Sequence, residues 1–470
     1  MLRYLFSRSF TNLTITALLL SGIWLGISYF GVGARTGATS HITPQLKIHP
    51  IYRHIGASKQ NIAPFSCQIT TPPTCYGPQQ IHKAYNIQPL LDGGTTGQGQ
   101  TIVIIDAFQA PKIKNDLHVF DQTFGLNDPT LNIIAPDGLT PFDPSNPTHI
   151  QWSAEITLDV EWAHAIAPDA TIDLVLAKSG EDADILSVIK YAIDNNLGAV
   201  INMSFGEAES CVSQQILKQE HALFFEAAYK GITLVTASND SGAAQATCDG
   251  NSYFLSTGYP ASDPLVTAVG GTKLDTNGPA GDYKSEVTWN EINSQGVNGA
   301  SGGGFSTIYA KPFYQYATAG IDKFRGVPDV AYNAALNSGF LVVWSSPIFG
   351  DNQIIAAAGT SAGAPQWSAI VALGCQLNNG RLGFINPALY LFGHSKFYTQ
   401  AFHDITSGNN TFVGTDSKGN SVTIQGYDAK AGWDPATGWG SPNVANLLAP
   451  FVEFAASKAR DRDSQLASLK

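Results

Sequence analysis

An α/β fold, with a mostly parallel central sheet and helices on both faces, is predicted by two features of the sequence. Short β-branched runs recur at 101–106, 171–177, 199–204, 232–237 and 265–269. Longer segments with helical periodicity lie between them, as at 181–195 and 213–230. Strands that alternate with helices build a parallel sheet covered on both sides. The chain has 470 residues, enough for one large domain or two ordinary ones, and no internal repeat is visible.

The elements follow in chain order. Arg3 and Arg8 precede an uncharged stretch from Leu13 to Val32, about long enough to cross a bilayer. A cleavable leader suits the small residues of Val32-Gly33-Ala34, and an uncleaved anchor suits the long apolar run with its basic end inside. Residues 1–34 are therefore expected to be a signal peptide or a membrane anchor, and the remainder to be extracytoplasmic. Residues 35–78, rich in Pro, Ser, Thr and Gln, are expected to be a stalk; 79–455 form the folded domain and 456–470 a charged tail.

Five cysteines fit an oxidising compartment. Cys67 and Cys75 flank a Pro-rich loop and are candidates to close it, Cys211 and Cys248 follow strand ends and make a second candidate pair, and Cys375 reads as a buried thiol. Sequence alone does not fix this connectivity. No Cys/His spacing suggests zinc.

Charge narrows the partners. Only 13% of residues are charged and the formal net charge is −11, which argues against nucleic acid, because phosphate binding needs clustered Lys and Arg. Gly93–Gly99 is glycine-rich but precedes its strand, and Ser301-Gly302-Gly303-Gly304 lacks a following Lys-Ser/Thr, so neither is a phosphate cradle. A monomer is expected.

Three segments carry candidate chemistry. In Ile354–Trp367 an apolar strand ends in a glycine turn and small residues open a helix, with Pro365 near its first turn. That arrangement exposes Ser361 at the positive end of a helix, where an oxyanion is favoured. An ordinary N-cap serine is the bland alternative. Gly359-Thr360-Ser361-Ala362-Gly363 also satisfies the G-x-S-x-G elbow of α/β-hydrolases, for which His394 and His403 are the downstream histidines.

In Trp152–Pro168, Ser153 is the expected N-cap, Ile156, Val160 and Ala163 form an apolar stripe, and Pro168 marks the end. Glu155 and Asp159 are i, i+4 neighbours, so their like charges repel and one proton is expected to be shared. A solvated acidic face is the alternative. In Ile232–Gly242 a buried strand ends in polar residues including Asp240, at the carboxyl edge where open α/β sheets place their sites; a plain turn is the alternative there.

From these residues the chain resembles the sedolisins, or serine-carboxyl peptidases, relatives of the subtilisins. The resemblance spans about 79–455 and rests on Gly359–Pro365, on Glu155-x-x-x-Asp159 followed by Ala163–Pro168, and on Tyr259–Ser262, Val269–Thr272, Ser301–Gly304 and Val327–Val330. It implies a subtilisin-like domain with Ser361 as nucleophile, Glu155 as general base, Asp159 orienting Glu155, and a protonated Asp240 at the oxyanion position. Asp106 sits where a subtilisin aspartate would, but no His-Gly-Thr-His-like segment accompanies it.

The resemblance further implies one structural calcium ion near the C-terminus. Asp404 and Asp434 would supply carboxylates, and Ile405, Lys430 and Gly432 backbone carbonyls, an all-oxygen set suited to Ca²⁺. Lys430 stands where Gly is common, which a carbonyl ligand tolerates. Residues 35–78 are too few for the long prodomain usual in that family, so control by prodomain removal is not expected.

The expected function is peptide-bond hydrolysis through an acyl-enzyme, with an acidic optimum. An esterase using Ser361 and His403 and a non-catalytic, calcium-stabilised binding domain are the alternatives.

Overall fold

The computed structural model describes residues 51–58, 64–292 and 298–454. The apolar run Leu13–Val32 and the charged tail 456–470 lie outside the described residues. Among the described residues, no helix is long and apolar enough to cross a membrane.

The expected strands form in place. They are labelled with the others in chain order: β1 (Ile51–Ala57), β2 (Thr101–Ala107), β3 (Leu131–Ile134), β4 (Thr171–Ala177), β5 (Val200–Met203), β6 (Thr233–Ala237), β7 (Thr267–Thr276), β8 (Tyr283–Thr288), β9 (Gly304–Ala310), β10 (Phe324–Val327), β11 (Val330–Asn333), β12 (Gly339–Ser346) and β13 (Gly350–Ala358). The central sheet runs β8-β7-β6-β5-β2-β4-β3, with β11 also paired to β7. Every pairing in it is parallel except β7 with β8. Because both faces are covered, β2 and β4–β6 are buried almost throughout, which is why they read as continuous apolar runs.

The longer helices are α1 (Ile113–Phe124), α2 (Pro147–Ile166), α3 (Asp182–Asp194), α4 (Gln214–Tyr229) and α5 (Thr360–Asn378). Helix α2 begins earlier than its sequence suggested: Asn146, not Ser153, is the cap, its side chain accepting from Thr148 N–H, and Pro147 takes the first turn. Ser153 lies inside the helix and donates to the Ile150 carbonyl at 2.8 Å. Nor is α2 amphipathic. From Trp152 to Ile166 it is buried on every side, packing against α5, β12 and β2, so Glu155 and Asp159 have no solvated face to occupy.

The span expected to be a stalk contains built structure. Strand β1 pairs antiparallel with β13, Ile51 opposite Ala358, and Cys75–Tyr76 add to the far edge of the same four-stranded sheet beside β12. Cys67–Cys75 and Cys211–Cys248 are disulfide-bonded, and Cys375 is a buried free thiol, as expected.

Candidate active site

The candidate residues meet at the carboxyl edge of the central sheet. Gly359 links β13 to α5 at φ +120°, a backbone conformation that a side chain strains to adopt. A Cβ there would stand 2.6 Å from Oδ2 of Asp240, so the glycine is what lets the carboxyl reach the turn. Gly359, rather than Ser361, caps α5, which removes the simple capping role for the serine. Ser361 falls in the first turn, partly exposed, among N–H groups with no intrahelical acceptor. Pro365 lies deeper, inside the helix.

Glu155 and Asp159 stand one turn apart on α2, and both are fully buried. Neither carboxylate oxygen of Glu155 is held by a well-formed hydrogen bond; among the described residues the Ser361 hydroxyl is its one polar neighbour at hydrogen-bonding reach. Burial first, then the charge of Asp159, push its pKa well above the usual carboxylate range, while the adjacent Ser361 hydroxyl works the other way. In this state Ser361 Oγ donates to the Ser204 carbonyl at a long 3.3 Å, leaving the serine beside Glu155 but not committed to it.

Asp159 is held firmly. Asn202 Nδ2 donates to it at 2.6 Å and Ser204 Oγ at 2.9 Å, from β5 and the residue after its end. Burial and then the charge of Asp106 raise its pKa nonetheless. Asp106, near the end of β2, is the site carboxyl to which no role was assigned from sequence. It is fully buried, both oxygens lack partners, and burial followed by the Glu155 charge pushes its pKa well up. Asp106, Glu155 and Asp159 thus form a mutually repelling group that cannot be fully ionised in so dry a place.

Asp240 follows β6. Its Oδ1 accepts from Thr360 N–H and from Thr360 Oγ1, both at 2.8 Å. Burial pushes its pKa up to about 6, and the Thr360 bonds oppose that rise. Gly302, in the Ser301–Gly304 run, crosses beneath: a Cβ there would lie 1.9 Å from the Ser238 carbonyl oxygen. The run is a backbone close approach, not a phosphate loop.

His403 stacks on Tyr283 with ring centroids 3.7 Å apart, and among the described residues it makes no hydrogen bond to Ser361. The G-x-S-x-G match therefore has its local turn without its histidine.

The C-terminal carboxylates converge on one turn. Asp404 accepts from Gly432 N–H at 3.2 Å; Asp434 accepts from Lys430 N–H at 3.1 Å, Ala436 N–H at 2.9 Å and Thr437 N–H at 2.8 Å. Burial first, then the neighbouring Asp404 and the charge of Asp434, raise the pKa of Tyr398. Among the described residues neither forms an ion pair, and no cluster of three or more His, Cys, Asp or Glu donors is found. A cation here would take oxygen donors, part of them from the backbone.

Comparison with known proteins places this geometry. The Subtilase family profile matches residues 154–388, half of the chain. Kumamolisin of Bacillus sp. (strain MN-32) is 34% identical over 396 residues, covering 82% of this chain and 65% of that protein. Sedolisin of Pseudomonas sp. (strain 101) is 34% identical over 271 residues, 56% of this chain and 43% of that protein. The chain thus spans less than two thirds of the length of these relatives. A solved structure of Pseudomonas sedolisin, described as a serine-carboxyl proteinase complexed with two molecules of pseudo-iodotyrostatin, superposes with a TM-score of 0.68 at 29% identity, covering 81% of this chain and 98% of that one. With a subtilisin-like sheet, a serine at the head of α5 and this sequence match, the chain belongs to the subtilase family.

Proposed function

We propose that the protein is a serine-carboxyl endopeptidase of the sedolisin type, hydrolysing peptide bonds in acid through a Ser361 acyl-enzyme. The observation that carries this reading is the fully buried Glu155 carboxyl beside the Ser361 hydroxyl, with Asp159 one turn behind it.

A carboxylate of ordinary pKa is too weak a base for a serine hydroxyl. Burial and the Asp159 charge raise the basicity of Glu155 toward the task. In acylation Ser361 Oγ attacks the scissile carbonyl carbon as its proton passes to Glu155. Asp240, protonated, donates to the oxyanion, helped by the N–H groups at the head of α5. Oδ1 of Asp240 is taken up by Thr360, so the donated proton belongs on Oδ2, which faces the Gly359 turn. The C–N bond then breaks, Glu155 gives its proton to the departing amine, and water repeats the sequence on the ester. Asp159, pinned by Asn202 and Ser204, orients Glu155, and Asp106 backs the pair as a further acid.

Asp404 and Asp434 would hold one Ca²⁺ together with carbonyls of Ile405, Lys430 and Gly432; the two converging carboxylates without an ion-pair partner fit a hard divalent cation. Its contribution would be structural, tying the 404 and 430–434 segments together. The two disulfides support an extracytoplasmic location. Residues 1–34 would deliver or anchor the chain. The substrate would be a peptide or protein, and the enzyme a monomer.

Peptide-library hydrolysis from acid to neutral pH tests the reading. Activity in acid that disappears in Ser361→Ala and Glu155→Ala is expected. Ester hydrolysis that survives Glu155→Ala and is lost in His403→Ala would instead establish the esterase.

A further inference from the structure

The surface at the far end of the β9–β10 ribbon does not match the acidic character of the rest of the chain. The ribbon starts at the Ser301–Gly304 run and, after a register shift in β9, ends where Ala310 pairs with Phe324, roughly 10 Å away measured at strand spacing along β10. There Phe313, Tyr316 and Phe324 are 55%, 69% and 42% exposed. Single exposed apolar residues need no explanation, but three on one connection do.

Lysines surround them. Lys311 N–H donates to the Lys323 carbonyl at 2.8 Å, and Lys311 Nζ donates to the Tyr316 and Ile321 carbonyls at 3.3 and 2.7 Å. Those bonds stiffen the loop and leave the ammonium charge uncancelled. The Lys430 ammonium lies over the same loop, since a Cβ on Gly320 would stand 2.9 Å from its Nζ. Thr318 bonds His394 at 3.1 Å, bringing up Lys396, whose Nζ sits 5.5 Å from the Phe397 ring centroid.

Elsewhere Lys83, Lys112, Lys178, Lys190, Lys230 and Lys273 each pair with a carboxylate. Among the described residues Lys311, Lys323, Lys396 and Lys430 do not, although the net charge of the chain is −11 and Asp322 is close in sequence; Lys114, Lys284 and Lys418 also lack an ion pair but lie on separate elements, whereas these four lie around one loop. Unpaired lysines collected around exposed aromatics are what an anionic lipid surface recognises: rings at headgroup level, apolar stems along the acyl boundary, ammonium groups among the phosphates.

We propose that the 311–324 loop, with Lys396 and Lys430 beside it, docks the domain on an anionic membrane surface. Docking through this face leaves the active site at the other end of the ribbon. The proposal is independent of the peptidase reading and of whether residues 13–32 stay in a bilayer.

The test uses the full-length chain with an environment-sensitive fluorophore on Tyr316→Cys, and, as a second site in the same protein, on Asn195→Cys. Vesicles of phosphatidylcholine with brominated acyl chains are compared with and without phosphatidylserine. The 316 label should be quenched on phosphatidylserine vesicles only, the quenching should fade with added salt, and the 195 label should be unaffected. Lys323→Gln and Lys396→Gln should each weaken the lipid-dependent quenching about fivefold. Equal quenching at 195 and 316, or none at 316 on anionic vesicles, overturns the proposal. So does a 316 label that is buried only when another protein is added.

Discussion

Thr360 donates twice to one oxygen of Asp240, from its N–H and from its hydroxyl, each at 2.8 Å. Both bonds favour the ionised carboxyl, whereas burial favours the protonated one, and the balance lies at about 6. The residue next to Ser361 therefore tunes the group proposed to stabilise the oxyanion. Thr360→Val keeps the N–H bond and removes the hydroxyl bond, so the pKa of Asp240 should rise. Its donating form would then persist further into the neutral range, and the alkaline limb of kcat/KM should move up by roughly half a pH unit. A downward shift would contradict the assignment of Asp240 as a donor.

Gly359 is the second half of that contact. Gly359→Ala places a methyl 2.6 Å from Oδ2 of Asp240, too close for both to stay, and forces alanine to a φ of +120°. Peptidase activity should fall about 100-fold or more, with a near-native circular dichroism spectrum, because displacing one donor at the reacting carbonyl is enough. Full activity would show that Asp240 is not close to the reacting atoms.

Ser361→Ala, Glu155→Gln and Asp159→Asn should each reduce kcat by at least about 10⁴-fold, and the triple variant should be little worse than the weakest single one. Additive losses, measured with one peptide substrate, would mean that the three do not act as a unit. Asp106→Asn probes the buried group from behind. It removes the ionisable group coupled to Asp159, so Asp159 no longer has to titrate against it, its pKa should fall and the acidic limb of the profile should move down. An unchanged acidic limb would separate Asp106 from the chemistry.

Calcium should raise the unfolding temperature if it binds the folded chain alone, with about 2.7 kcal/mol gained at a hundredfold excess over Kd. Asp434→Asn should abolish that dependence. A melting curve unaltered by chelator, with no calcium in the purified protein by elemental analysis, removes the site.

Much of this was legible in the sequence, for reasons that differ by residue. The parallel sheet was readable because β2, β4 and β6 are buried on both faces and so are continuous β-branched runs. The turn that puts Ser361 at the head of α5 was readable because small residues flank it on both sides. Glu155 and Asp159 had the right spacing, but their complete burial comes from packing on α5 and β12, which local pattern cannot show. Asp106 had only one signal, an acid ending an apolar strand, and its two acidic neighbours lie about 50 residues further along the chain. Asn202 and Ser204 gave a similar hint, polar residues in and just after a buried strand, and their purpose appears only when Asp159 is seen between them. Strand β1 was hidden among Pro- and Thr-rich neighbours, because its partner β13 is about 300 residues away.

The pH profile of Asp240→Asn against the unaltered enzyme tests the central claim most directly. Activity requires Glu155 to accept a proton while Asp240 still holds one, so the unaltered enzyme should peak below about pH 6 and decline as Asp240 ionises near 6. An amide donates at every pH. The variant should be slower at the optimum and should lose much of that alkaline decline. A peak at neutral pH in the unaltered enzyme, or an alkaline limb that persists in Asp240→Asn, would contradict the role given to Asp240 and with it the acid mechanism.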